Sequence, residues 1–135
     1  LAIDRLEQYL TPQVGLVVID TITSLYRAEI DESKQKTFTL NRELGRQLAC
    51  LAQIVKTRKI ATLVTSQVRN VFLEDFVTVE PVGTRVLRFW SDTVLSMRPA
   101  DHRNNVKVVL EKHANRKCPV DCYVSIKETG ICDLR

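Results

Sequence analysis

Two short apolar runs in this chain stop on residues that can do chemistry. The first, Gly15-Leu16-Val17-Val18-Ile19, ends on Asp20, and the second, Ile60-Ala61-Thr62-Leu63-Val64, ends on Thr65-Ser66-Gln67. A carboxylate held at the end of a rigid strand can order the water shell of Mg²⁺ beside a nucleotide. An uncharged amide such as Gln67 both donates and accepts, so it can sense a terminal phosphate or orient a water without titrating. Taken singly, neither residue argues for much: Asp20, helped by Thr21 and Thr23, also describes a turn cap, and Gln67 a solvated amide. The pair at matching strand ends is what favours the nucleotide reading, because ligands of open α/β sheets gather off the carboxyl ends of the strands.

Other charged and aromatic residues are candidates for contact with a phosphate backbone. Tyr26 and Arg27, then Lys34 and Lys36, lie in a stretch read as mobile between Asp20 and the next helix, and Arg69, Arg85, Arg88, Arg98 and Arg103 come later. Charged loops are commonly just solvated, and residues 69–82 carry Glu74, Asp75 and Glu80 against the single Arg69. Phe89-Trp90 reads as core or subunit interface ahead of base stacking. The run Lys112-His113-Ala114-Asn115-Arg116-Lys117 is a basic turn that could offer cations to a phosphate. Cys50, Cys118, Cys122 and Cys132 form no paired C-x-x-C knuckles, so free thiols are expected ahead of a disulfide or zinc.

These residues need elements to position them. The two apolar, β-branched runs read as strands buried on both faces of a parallel sheet. Between them, Leu40, Leu44, Leu48, Leu51 and Val55 recur at steps of three and four, which predicts a helix over residues 38–58. Strand, helix, strand in that order implies a right-handed parallel crossover. Residues 1–10 read as an amphipathic helix and residues 69–82, lacking a clear period, as a loop. Thr84 would cap a short helix ending at Trp90, and residues 92–97 read as another strand. Residues 106–110 and 122–126 read as antiparallel strands joined by the basic turn 113–117. The fold class is therefore α/β, with a parallel sheet and a C-terminal antiparallel hairpin.

With 135 residues, 44% apolar and 27% charged, the composition is that of one ordered globular domain, and the formal charge of +4 favours phosphate-bearing partners only in a general way. No apolar run is long enough to cross a bilayer and no signal peptide is evident, so a cytoplasmic protein is expected. A start at Leu1 inside a helical pattern reads as the start of a fragment.

Taken together, Val17-Val18-Ile19-Asp20-Thr21, Ser24-Leu25-Tyr26-Arg27-Ala28-Glu29, Leu40-Asn41-Arg42, Thr65-Ser66-Gln67-Val68 and Pro81-Val82-Gly83 stand in an order and spacing that resembles the RecA/RadA recombinase core. The Leu87–Ser91 and Lys112-His113 regions resemble its RadB branch of short archaeal paralogues. This resemblance implies a three-layer RecA-like parallel sheet, the C-terminal portion of a P-loop NTPase core, with Asp20 as the Walker B acid and Gln67 as the γ-phosphate sensor. It implies ATP and Mg²⁺ as cofactors of a full-length parent, with Lys112 and His113 where a neighbouring subunit would cover the ATP. Arg27, Lys34 and Lys36 would belong to a first DNA-facing loop and Arg69 to a second, with Arg85 just beyond. DNA, a RadA-like recombinase and further copies of the chain are the partners implied.

The departures are as informative. No G-x-x-x-x-G-K-[ST] occurs, so the backbone cradle and lysine for the phosphates are absent from these residues. The family usually has Thr-Asn-Gln where this chain has Thr65-Ser66-Gln67, and Gly-Gly where it has Gly83-Thr84. A short, acidic second loop fits an accessory role in recombination better than strand exchange. Two other readings stay open: a RecA-like interaction module without nucleotide chemistry, and a signalling ATPase of the KaiC kind. The resemblance places the phosphate-loop strand between those at residues 60–65 and 92–97, so without it those two strands are expected to pair directly or to recruit another chain.

Overall fold

A computed structural model describes residues 3–23, 34–72, 77–81 and 83–134, and divides the chain into two compact units, Leu1–Trp90 and Ser91–Arg135. In the first unit a 3-10 turn, Ile3–Tyr9, precedes strand β1, Leu16–Ile19. Helix α1 runs Lys34–Arg58, and after it come β2, Ala61–Val64, the strands β3, Val68–Phe72, and β4, Val77–Pro81, and helix α2, Thr84–Trp90. The second unit holds β5, Thr93–Pro99, β6, Asn105–His113, β7, Val120–Lys127, and β8, Gly130–Asp133.

The leucine spacing of α1 builds the first core. Leu44, Leu48, Leu51 and Ile54 are buried along one face. Against the cluster of Leu44, Leu48 and Leu51 lie Ile3 and Leu6 from the 3-10 turn, Ile19 from β1, Val64 from β2, and Val86 and Leu87 from α2. One amphipathic stripe thus gathers every element of the unit that the site depends on. Its end is equally well made. Lys59 adopts the left-handed conformation with φ 53°, and the Ile60 N–H donates to the Val55 carbonyl at 3.3 Å, closing a Schellman turn that delivers the chain directly into β2.

The strand β1 runs parallel to β2, pairing Leu16 with Ala61 through Ile19 with Val64, as the crossover implies. The expected burial on both faces is not formed. Leu16, Val18 and Leu63 are each more than half exposed, while the alternate positions Val17, Ile19, Thr62 and Val64 are covered. Helix α1 shields one face, and the other is left apolar and open among the described residues.

The residues read as a loop at 69–82 instead contain an antiparallel pair, β3 with β4, from Val68 opposite Pro81 to Phe72 opposite Val77. Ladder hydrogen bonds belong to the backbone, so a hairpin can form where the side chains show no period. The first segment is a helix of the 3-10 type, Ile3–Tyr9, with Ile3 buried. Nor is Thr84 the cap of α2: the Gly83 carbonyl accepts from Val86 and Leu87 at 3.0 Å each, which makes Gly83 the capping residue.

In the second unit the expected hairpin is the centre of a larger sheet of order β5-β6-β7-β8, antiparallel throughout. The fourth strand, Gly130–Asp133, has no side-chain pattern that marks it in the sequence. Residues Leu95, Met97, Val120, Ile126 and Ile131 expose much of their apolar surface on this sheet. The reverse face is polar, with Lys107 Nζ 2.9 Å from the Asp121 carboxylate and 5.6 Å above the Tyr123 ring. Among the described residues β2 pairs with β1 and β5 with β6.

An exposed ion network ties the 3-10 turn to α1. The Arg46 guanidinium donates to Glu43 at 2.7 and 2.9 Å and to Asp4 at 2.9 Å. Arg46 and then Gln47 hold the Glu43 carboxyl down, from 4.5 to about 2, and Arg46 likewise lowers Asp4. Because the folded values are depressed, whatever the network adds to stability is present above the ordinary carboxylate range and is lost as pH falls toward 2. An NMR titration of the Glu43 side-chain carbonyl carbon should show its midpoint near 2, returning toward 4.5 in Arg46→Ala. A wild-type midpoint already near the ordinary value would show that the network does not form in solution.

Candidate functional site

The parallel pairing of β1 and β2 brings the two strand ends to one rim. The Thr65 N–H donates to the Ile19 carbonyl at 3.0 Å, continuing the ladder one step beyond the strands, and the Ile22 N–H donates to the Thr65 carbonyl at 3.2 Å. This backbone frame sets the side chains. The Thr65 hydroxyl donates to Asp20 Oδ1 at 2.5 Å, a short, charge-assisted bond between the two strand ends. Gln67, two residues on, is held by its backbone: its N–H donates to Thr23 Oγ1 at 3.2 Å. Asp20 and Gln67 are both exposed at this rim, accessible to a ligand. The sheet therefore brings together the carboxylate and the amide that the sequence singles out.

Thr23 is the member that sequence reasoning undervalues. Residue type and position make it only an aid to the Asp20 turn, yet its side chain is wholly buried. The signal available is a hydroxyl three residues after the strand-end acid, facing a polar trio at the end of the neighbouring strand.

The other candidates are placed less closely. Arg27 lies outside the described residues. Lys34 and Lys36 fall in the first turn of α1 rather than in a mobile stretch, because the helix starts ahead of the predicted residue 38; their side chains are outside the described residues, as is that of Arg69 in β3. Arg85 and Arg88 are on α2, three residues apart and so on one side of it. The neighbouring Phe89 and Trp90 meet edge to face at 5.2 Å, and Phe89 is 75% exposed, so it is not core.

Lys112 and His113 end β6 in the second unit. Lys112 Nζ donates to the Ser91 carbonyl at 2.6 Å, and His113 Nδ1 accepts from the Asn115 N–H at 3.0 Å. The four cysteines are free thiols.

The donor set at the rim limits what metal it can hold. No group of three or more His, Cys, Asp or Glu side chains is placed for a metal among the described residues. One exposed carboxylate with a hydroxyl beside it fits Mg²⁺ that keeps its waters and takes its remaining ligands from phosphate, and does not fit a direct protein cage. No described helix is long and apolar enough to cross a membrane.

Likenesses to known proteins extend over most of the chain. Residues 4–134 match the sequence pattern of the Rad51 family. A DNA repair and recombination protein RadB from Methanococcus maripaludis strain C7 is 33% identical over 123 residues, covering 91% of this chain and 54% of the relative. Its counterpart in Methanocaldococcus jannaschii is 35% identical over 104 residues, 77% of this chain and 46% of that protein. A crystal structure of the RadB recombinase superposes with a TM-score of 0.73 at 30% identity, covering 98% of this chain and 57% of the solved one. The chain thus spans about half the length of the relatives it matches. An α/β core with a parallel β1–β2 pair, an acid and an amide at its rim, and a family match over almost its whole length make this chain a member of the Rad51 family, with RadB proteins among its relatives.

Proposed function

We propose that the protein carrying this chain is a RadB-like accessory factor of homologous recombination and DNA repair that binds ATP and DNA. The observation that carries this reading is the bridged rim, with Thr65 joining Asp20 across the two strand ends. Asp20 would hold Mg²⁺ through water, and the bound metal would neutralise phosphate charge. Gln67, next to the β3–β4 hairpin, would report the presence of a terminal phosphate to that hairpin. Lys112 and His113 would meet the nucleotide of a neighbouring copy. Arg27, Lys34, Lys36, Arg69 and Arg85 are the candidates for the DNA backbone, and a RadA-like recombinase is the protein partner that this reading implies.

A phosphate-binding loop is absent from these residues, so the chain by itself is expected to show no ATPase activity above background. In a protein that joins it to such a loop, Asp20→Ala should lower Mg²⁺-dependent ATP affinity or turnover about 10- to 100-fold, the usual loss for an outer-shell metal partner. Isothermal calorimetry with and without Mg²⁺ separates that loss from misfolding. Single-stranded DNA affinity should fall steeply as salt rises, because each phosphate contact releases counterions. Affinity indifferent to salt, together with tight capture of a protein partner, would instead support the interaction-module reading.

A further inference from the structure

The largest fully buried side chain among the described residues is a polar one, Thr23, with none of its surface exposed. A hydroxyl in such a place is costly unless its bonds are made. Here they are made to the end of the neighbouring strand. Thr23 Oγ1 accepts from the Gln67 N–H at 3.2 Å and lies 3.4 Å from Ser66 Oγ. The Ser66 hydroxyl is itself 3.2 Å from the Gln67 carbonyl, to which it donates. Either hydroxyl can supply the proton between the two. The contacts close a ring through the Gln67 N–H, Thr23 Oγ1, Ser66 Oγ and the Gln67 carbonyl. Such rings strengthen cooperatively in a weakly polar setting.

We propose that Thr23 is a positioning residue that, with Ser66, clamps the backbone of Gln67 at the sheet rim and so fixes where the amide stands relative to Asp20. The inference rests on the role proposed for Gln67, while the clamp itself can be tested without nucleotide. Thr23 comes just after the Asp20 turn and Gln67 opens the β3–β4 hairpin, so the ring joins the metal-facing end of one strand to the hairpin that leaves the other. A serine at position 66 supplies the hydroxyl that completes it.

The test is amide hydrogen exchange, read by NMR on the full chain without ligand. Thr23→Val, which keeps the shape and removes the hydroxyl, should speed exchange at Gln67 roughly 3- to 10-fold, the worth of one net hydrogen bond. Thr23→Ser should restore protection, and Ser66→Ala, which leaves the Gln67 N–H its acceptor but opens the ring, should speed exchange less than Thr23→Val does. In the double variant the loss should not exceed the larger single loss, because either change opens the same ring. Additive losses, no rescue by serine, or equal acceleration at the Leu48 and Leu51 amides would mean that Thr23 only packs, and would overturn the proposal. Should Thr23→Val not fold, an unprotected Gln67 amide in the unaltered chain, or no acceleration in Ser66→Ala, would overturn it equally.

A second readout separates the clamp from the function it serves. In a protein able to bind Mg·ATP, Thr23→Val should shrink the change in oligonucleotide affinity caused by Mg·ATP to the level of Gln67→Ala. If the unaltered protein shows no such change, the nucleotide-sensing role fails while the exchange results still decide the clamp.

Discussion

Replacing Gly83 by alanine should be among the most damaging single changes in the first unit. Gly83 has φ +69°, and a Cβ built there would stand 2.8 Å from the Leu44 δ-methyl. Holding an L-residue in the left-handed region costs about 1–2 kcal/mol. Leu44 cannot swing away freely, because it is 4% exposed inside the α1 cluster, and crowding a packed core costs about 1–3 kcal/mol more. Urea unfolding should show the midpoint falling by an amount equal to about 3 kcal/mol with the slope unchanged. An unmoved midpoint would mean that α2 does not close on α1 in solution. The change bears on function, since Gly83 both caps α2 and ends the passage from β4, much as the Thr23–Ser66–Gln67 ring holds the entry to β3.

Leu48→Ala should cost as much or more, within the range of about 2–5 kcal/mol for truncating a buried leucine. Leu48 is 6% exposed at the centre of the face on which the 3-10 turn, both parallel strands and α2 rest. Its loss leaves a cavity between elements that cannot all collapse into it. A control lies on the same helix: Phe38 is 71% exposed, so Phe38→Ala should change stability by no more than about 0.5 kcal/mol despite deleting a larger side chain. Comparable losses from the two would show that the α1 face is assigned wrongly.

Much of this arrangement can be read from residue order. Leucines at steps of three and four carry α1 and its buried face, and two apolar runs ending in Asp20 and Thr65-Ser66-Gln67 carry a parallel pair with a polar rim. These are local properties, set by side-chain period and by the residues that close each strand. The β3–β4 pair is not legible in this way, nor is β8, because their pairing resides in backbone hydrogen bonds between strands. Nor does strand composition reveal that Leu16, Val18 and Leu63 face outward: β-branched and apolar residues suit a covered strand whether or not a cover is present.

For the site the division runs between which residues and in what relation. Asp20 and Gln67 are identifiable from type and position, as a carboxylate and an amide that each close an apolar strand. Their common rim, the 2.5 Å bond from Thr65 to Asp20 and the burial of Thr23 beneath Gln67 exist only once β1 and β2 lie side by side. Sequence by itself determined α1, the two apolar strands and the chemical groups they carry, because period and residue type act over a few neighbours. Tertiary structure alone decided which hydroxyl meets which partner across more than forty residues of chain, because a hydrogen bond depends on tenths of an ångström that no local pattern encodes.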